Sequence, residues 1–221
     1  MLQASTVKFL KDLSKNNNKT WFDNNRDKYE ASKSDFESFI QDVIKRHGKK
    51  DETIRALVAK KCTFRIKRDI RFSKDKTPYK SNMGASIDRG GKKSIYAGYY
   101  IHIEPGGKSF VGGGLWMPMP EETKKLRQEI DYCLDEFRGI VESKKFKFVY
   151  GALYSGDDAS LKKIPHGFEA DNPAATYLKL KSWLALKKMT DAEITSPSFL
   201  KTVLTAFETL QPFVNFINRA F

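Results

Sequence analysis

Basic side chains are concentrated in one short part of this chain. Residues 61–95 hold 11 Lys and Arg against 3 Asp, so this segment carries +8 of the net charge of +13. An arginine presents a planar fork of N–H donors that fits a phosphate or a carboxylate with two hydrogen bonds. The position of the charge therefore predicts a focused anion site in this segment rather than a diffuse basic coat.

Alternating side chains over residues 63–72 predict a β-strand with one apolar and one charged face. The two faces carry, in turn, Phe64, Ile66, Ile70 and Phe72, and Thr63, Arg65, Lys67, Asp69 and Arg71. Asp69 lies between two arginines of its face and would hold a guanidinium group in place. Arg68 falls on the apolar side by parity, and we expect it to pair with a buried carboxylate.

A second strand, predicted over residues 94–104, would supply groups for proton transfer. Parity places four of its side chains on one face: Tyr96, Tyr100, His102 and Glu104. If this face adjoins the charged face of the first strand, the basic side chains lie beside groups that can donate or accept a proton. We then expect five side chains to converge on one concave pocket: Arg65, Asp69, Arg71, Lys76 and His102.

The remaining sequence predicts helices before and after this sheet. Apolar spacing indicates one helix ending at Asn16, a longer one from Thr20 to Gly48, one over residues 121–141, and a C-terminal helix that Pro212 should kink or split. A hairpin turn at residues 105–107 leads into a returning strand at 110–116, where three consecutive glycines indicate a close backbone approach or room for a ligand. The fold class is therefore α+β: a central antiparallel sheet with a hairpin, and N-terminal and C-terminal helices packed against it. We expect a single domain over residues 1–221.

The sequence lacks the motifs that are typical of several classes of protein. It has no run of 18 apolar residues for a transmembrane helix and no uninterrupted apolar stretch near Met1 for a signal peptide. The two cysteines are far apart and predict reduced thiols, which suits a cytoplasmic protein with no membrane partner. The three histidines are scattered, and no phosphate loop or zinc motif occurs, so we expect no metal and no cofactor.

The basic segment also resembles a family signature. Residues 65–79 fill every fixed position of the pattern R-x-x-R-D-x-R-F-x-x-D/N-K-x-x-Y, which is that of the bacterial domain-of-unknown-function family 2461. Similar blocks at residues 21–29, 98–107 and 112–118 extend the resemblance over nearly the whole chain. The resemblance implies membership of that family and implies no particular activity.

Three functions stay open at this point. The first is a pocket for an anionic small molecule, phosphate or carboxylate, which could belong to an enzyme of unknown reaction. Its anion-binding residues would be Arg65, Arg68, Arg71, Lys76 and Lys80, and its catalytic residues Asp69, Tyr79, His102 and Glu104.

The second function is a nucleic-acid-binding module that uses a basic, tyrosine-bearing sheet face. Its residues would be Lys67, Lys74, Arg89, Lys92, Lys93, Tyr96 and Tyr100. The third is a structural or interaction protein in which the motif only organises the fold. An anionic small molecule is favoured over nucleic acid, because no named nucleic-acid motif is matched.

Overall fold

The computed structural model describes residues 1–156 and 159–221 and shows an antiparallel sheet between two sets of helices in the chain. Before the sheet lie α1 (Ala4–Lys15), α2 (Lys19–Asn24), α3 (Arg26–His47), a 3-10 helix (Glu52–Ile54) and α4 (Ala59–Cys62). Next come β1 (Met83–Asp88), β2 (Gly98–Ile103), β3 (Ser109–Leu115), α5 (Pro120–Tyr132), α6 (Leu134–Val141), α7 (Lys144–Tyr150) and α8 (Ala175–Leu178). The chain ends with β4 (Trp183–Met189), α9 (Asp191–Thr195) and α10 (Phe199–Asn218). The strand order is β1-β2-β3-β4, and the predicted α+β fold is confirmed.

The described residues group into two compact units. Unit 1 comprises Met1–Ile87, Tyr100–Val111 and Lys188–Thr205, and unit 2 comprises Asp88–Tyr99, Gly112–Lys187 and Ala206–Phe221. The expectation of a single domain over residues 1–221 stays a prediction.

Unit 1 has a helical core built on 3.6-residue apolar spacing. Leu10 and Leu13 of α1 and Ile40 of α3 are fully buried, and α1 packs on α3. Phe39 of α3 stacks on Phe199 of α10, with ring centroids 4.7 Å apart and planes 5° from parallel. This core fixes α1, which leads into the α1–α2 connection, against α3.

Unit 2 has an aromatic core. Tyr99 stacks on Phe207 at 4.6 Å, and Phe137 packs at 5.1 Å against Phe216. The buried Tyr150 hydroxyl donates to the Ala206 carbonyl oxygen at 2.6 Å, and burial raises the pKa of this phenol. Such hydrogen-bonded burial accounts for a polar group in an apolar core.

The three consecutive glycines of β3 admit the backbones of neighbouring strands. A Cβ at Gly112 would lie 1.9 Å from the Ala185 carbonyl oxygen, and one at Gly114 would lie 2.0 Å from that of Trp183. Gly114 also has φ +124°, which L side chains rarely adopt. The close backbone approach expected from the sequence is therefore present, and these glycines are structural.

The predicted strand over residues 63–72 is wrong. The structure has only isolated bridges near it, Thr63 with Ala85 and Lys67 with Tyr79. Phe72, expected on the buried face, is 96% exposed. The alternation misled because the chain folds back after Lys67 and its polar side chains bond within the resulting loop, so no partner strand covers an apolar face.

Other element boundaries also differ from the predictions. The helix expected over residues 121–141 is divided at Cys133 into α5 and α6, and the one expected up to Gly48 is divided at Asn25. α10 runs through Pro212 without being split, because apolar burial on both sides of the proline outweighs one lost backbone hydrogen bond. Within the described residues, no helix is long and apolar enough to cross a membrane.

Replacing Gly112 tests the account of the glycines in β3. We expect Gly112→Ala to lower the free energy of unfolding by at least about 2 kcal/mol, because its Cβ would overlap a backbone oxygen that cannot yield without shifting β4. Urea unfolding measures the change. The matched control is Gly139→Ala in α6, where nothing lies within 4 Å of the added Cβ, and it should stabilise by up to about 1 kcal/mol. Equal effects of the two substitutions would contradict the account.

Candidate functional site

The basic segment forms a loop that is closed at its base; we call residues 65–80 the motif loop. The Arg68 N–H donates to the Pro78 carbonyl at 2.9 Å, and the Lys80 N–H donates to the Ile66 carbonyl at 2.8 Å. These bonds flank the bridge between Lys67 and Tyr79. The intervening residues must therefore turn back within a short length of chain.

Tyr79 anchors the base of the motif loop to the α1–α2 connection. Its ring is 5% exposed and stacks on Phe22 at 4.0 Å, with the planes 11° apart. The Asn17 side chain accepts from the Tyr79 N–H at 3.1 Å and donates to the Tyr79 carbonyl at 2.9 Å. The Asn17 amide thus forms the two hydrogen bonds that the backbone of a neighbouring strand would form. The sequence position of Asn17, between two helices, did not predict this role.

Asp75 organises the far side of the motif loop. Its carboxylate accepts from the Thr77 N–H at 2.9 Å and from the Thr77 hydroxyl at 2.8 Å, and it pairs with the guanidinium of Arg68. These groups, the Thr77 donors first, lower the pKa of Asp75 to about 2. The Asp75 side chain is 53% exposed, so the expectation that Arg68 pairs with a buried carboxylate is wrong.

Two further contacts shape the tip of the motif loop. The Arg71 guanidinium donates two hydrogen bonds to the Asp69 carboxylate, of 3.0 and 2.7 Å, and these bonds lower the pKa of Asp69. The expected pairing of Asp69 with a neighbouring guanidinium is therefore present. The ammonium group of Lys76 donates to the Ile70 carbonyl at 3.0 Å, so this lysine braces the backbone.

A cavity of about 660 Å³ lies beside the motif loop. Its lining consists of polar and charged residues of unit 1: Ser14, Asn17, Arg68, Asp69, Asp75, Thr77, Tyr79, Lys80, Ser81 and Asn82. Four predicted site residues are among them: Arg68, Asp69, Tyr79 and Lys80. Of the five residues expected to converge on one pocket, Asp69 lines this cavity, whereas Arg65, Arg71, Lys76 and His102 do not.

Lys80 is the cation of the cavity wall that lacks a counter-charge. In the part of the chain that the structure describes, its ammonium group forms no ion pair with a carboxylate, and it lies 5.5 Å from the centre of the Phe64 ring. Burial, together with the positive charges of Arg65 and Arg68, lowers the pKa of Lys80. An anion placed beside Lys80 would relieve this repulsion.

Of the predicted proton-transfer residues, Tyr100 and His102 lie on β2, Glu104 lies just after it and Tyr96 lies before it. His102 Nε2 lies 3.0 Å from Glu104 Oε2, and the His102 ring stacks on Phe110 at 4.7 Å. Lys108 pairs with the other Glu104 oxygen at 3.4 Å. The Tyr100 ring lies 6.3 Å from that of Phe64 and 5.8 Å from that of Phe110, and burial raises the pKa of Tyr100. On β2 half-buried Tyr100 and His102 alternate with buried neighbours as expected, but Tyr96 and Glu104 lie outside the strand, so their shared face stays a prediction.

The residues suggested for nucleic acid are spread over several elements. Arg89 lies 4.5 Å above the Tyr96 ring in unit 2, where Lys92 and Lys93 follow in the loop after β1. Lys67 and Lys74 are exposed in the motif loop of unit 1. Over residues 1–156 and 159–221, no group of three His, Cys, Asp or Glu side chains is placed to hold a metal ion.

Comparison with known proteins identifies the family of the chain. The family model described as Conserved hypothetical protein (DUF2461) matches residues 5–216, and the chain belongs to this family. No curated protein and no solved structure matched the chain.

The pKa of Asp75 tests how the motif loop is held. Because this pKa is depressed, the contacts of Asp75 favour the folded loop above the ordinary value of 3.8 and are lost as the pH falls through about 2. In a carboxyl-detected NMR titration we expect Thr77→Val and Arg68→Met each to raise the pKa of Asp75 toward 3.8. Lys74→Met is the control, because Lys74 forms no hydrogen bond or ion pair with Asp75 in the described structure, and it should leave the value near 2. An equal rise in all three variants would contradict this assignment.

Proposed function

We propose that this member of the DUF2461 family binds an anionic small molecule, a phosphate or a carboxylate, in the cavity beside the motif loop. The observation that carries the proposal is Lys80, which lines the cavity, forms no ion pair with a carboxylate of the described residues, and has its pKa lowered by burial and by the charges of Arg65 and Arg68. Isolated like charges in a partly desolvated site are unfavourable, and a bound anion would turn their repulsion into attraction.

Arg68 supports the proposal by its orientation. Its Nη1 group makes both side-chain contacts, to Asp75 and to the Thr77 hydroxyl at 2.7 Å. Its Nε and Nη2 groups make no hydrogen bond with any residue that the structure describes. The edge of the guanidinium that suits a bidentate contact is therefore available, while Asp75 and Thr77 hold the plane of the group in place.

The other cavity residues suit a small polar ligand. The side chains of Ser81 and Asn82 line the wall and form no hydrogen bond within the described part of the chain, so their donors are available to an oxyanion. The negative charge of Asp69 is matched by Arg71. A volume of about 660 Å³ lies within the range of about 300–1,000 Å³ that is typical of small-molecule sites. His102 and Glu104 do not line this cavity, so the proposal concerns binding and assigns no reaction.

Lys80→Met is the direct test of the proposal. We expect isothermal titration calorimetry to show binding of inorganic phosphate or acetate to the native chain and a loss of at least about tenfold in affinity in the variant, since a hydrogen bond to a charged group contributes roughly 1.5–3 kcal/mol. Lys61→Met, an exposed lysine of α4, is the matched control and should bind like the native chain. Native affinity in Lys80→Met, or no binding of either anion by the native chain, would refute the proposal.

The pH dependence gives a second measurement on the same site. Sulfate keeps its charge in neutral and alkaline solution, so a change in its affinity reports on the protein. The pKa of Lys80 is lowered, and we therefore expect sulfate affinity to fall as the pH rises through a value below the ordinary 10.5 of lysine. In Lys80→Met this fall should be absent. A fall of the same size in the variant would assign the titration to another group.

A further inference from the structure

We infer that the tip of the motif loop binds a single strand of nucleic acid, with Phe72 as the platform on which a base stacks. The inference rests on the proposed function in one respect only: the cavity would take one phosphate of the strand. The base platform and the additional phosphate contacts lie outside the cavity, on residues that do not line it.

Phe72 is displayed to solvent by a braced turn. Its side chain is 96% exposed, and its ring contact in the structure is with the Arg71 guanidinium, 5.9 Å from the ring centre. The Ile70 carbonyl accepts from the Ser73 N–H at 3.4 Å and from the ammonium group of Lys76 at 3.0 Å, which holds the corner on which Phe72 sits. An aromatic ring so placed contributes no burial to the core and is available to a partner.

The cations around Phe72 extend beyond what one small anion needs. Residues 65–76 contain six basic and two acidic side chains, a net charge of +4. Arg65, Lys67 and Lys74 are exposed and pair with no carboxylate in the described structure. Unpaired cations along one loop complement a chain of phosphates.

The combination of one exposed ring with several cations favours a single strand. Bases of a single strand are free to stack on an aromatic side chain, whereas bases of a duplex are already stacked on one another. Asp69, which lines the cavity, is three residues from Phe72, so the Cα atoms of these two residues lie at most about 11 Å apart. Within residues 65–76, Phe72 is the one exposed apolar side chain, which gives little apolar area for insertion into a membrane.

The test is fluorescence anisotropy with a labelled oligothymidylate of about twelve nucleotides at several salt concentrations. We expect Phe72→Ala to weaken binding about 5- to 150-fold, which corresponds to the stacking of one base, and Phe72→Trp to restore it. Lys67→Ala and Lys74→Ala should each make the log–log salt slope shallower by about 0.7. Phe148→Ala, which removes a 90% exposed ring of α7, is the matched control and should change nothing.

Each other outcome has a defined meaning. No binding at low salt, native affinity in Phe72→Ala, or equal affinity for a duplex of the same length would overturn the inference. Binding to phosphatidylserine vesicles that depends on Phe72, without binding to the oligonucleotide, would overturn it in favour of a membrane. Phosphate binding distinguishes this inference from the proposed function. If phosphate binding is lost in Lys80→Met and kept in Phe72→Ala, the proposed function can stand while the strand inference fails. If oligonucleotide binding depends on Phe72 while phosphate binding does not depend on Lys80, the proposed function is rejected and the strand inference stands.

Discussion

The two hydrogen bonds between Asn17 and the backbone of Tyr79 hold the motif loop in place. They connect a loop that has no sheet neighbour along most of its length to the connection between two helices of unit 1. Stacking of Tyr79 on Phe22 adds a buried, directional contact at the same point. Because both the donor and the acceptor of Tyr79 are used, this end of the motif loop cannot slide along its neighbour. The geometry of the cavity depends on that register.

The charges of the motif loop divide into those that shape it and those that remain available. Asp75, Asp69 and Lys76 are engaged with Thr77, Arg71 and the Ile70 carbonyl, and these contacts hold the turn. Exposed pairs of this kind contribute modestly to stability, so their effect is chiefly to set geometry. Lys80 and one edge of Arg68 are left without anionic partners beside the cavity. A single loop therefore supplies its own scaffold and two cations that a ligand can use.

Because of this division, the same motif can have both a structural role and a binding role. The aspartates of the signature satisfy backbone and side-chain donors within the loop, as a purely structural motif would. In doing so Asp75 holds the guanidinium of Arg68, which lines the cavity, and the Nε and Nη2 groups of Arg68 form no hydrogen bond in the described structure. Preorganisation of this type lowers the entropy lost when a ligand binds. Phe72 at the tip is 96% exposed, and a purely structural account gives no reason for this exposure.

The sequence by itself determined the fold class and the family, and it singled out the short segment that lines much of the cavity. Those properties follow from apolar periodicity, a contiguous signature and the local excess of Lys and Arg, all of which are patterns in the linear sequence. It failed for residues 63–72, where alternation resembled a strand but loop hydrogen bonds to Thr77 and Pro78 prevailed. Only the tertiary structure decided that Asn17, Ser81 and Asn82 line the cavity beside Arg68 and Lys80 while His102 does not. The physical reason is that a cavity is formed by residues distant in sequence, and parity within a strand gives no information on which loop faces which element.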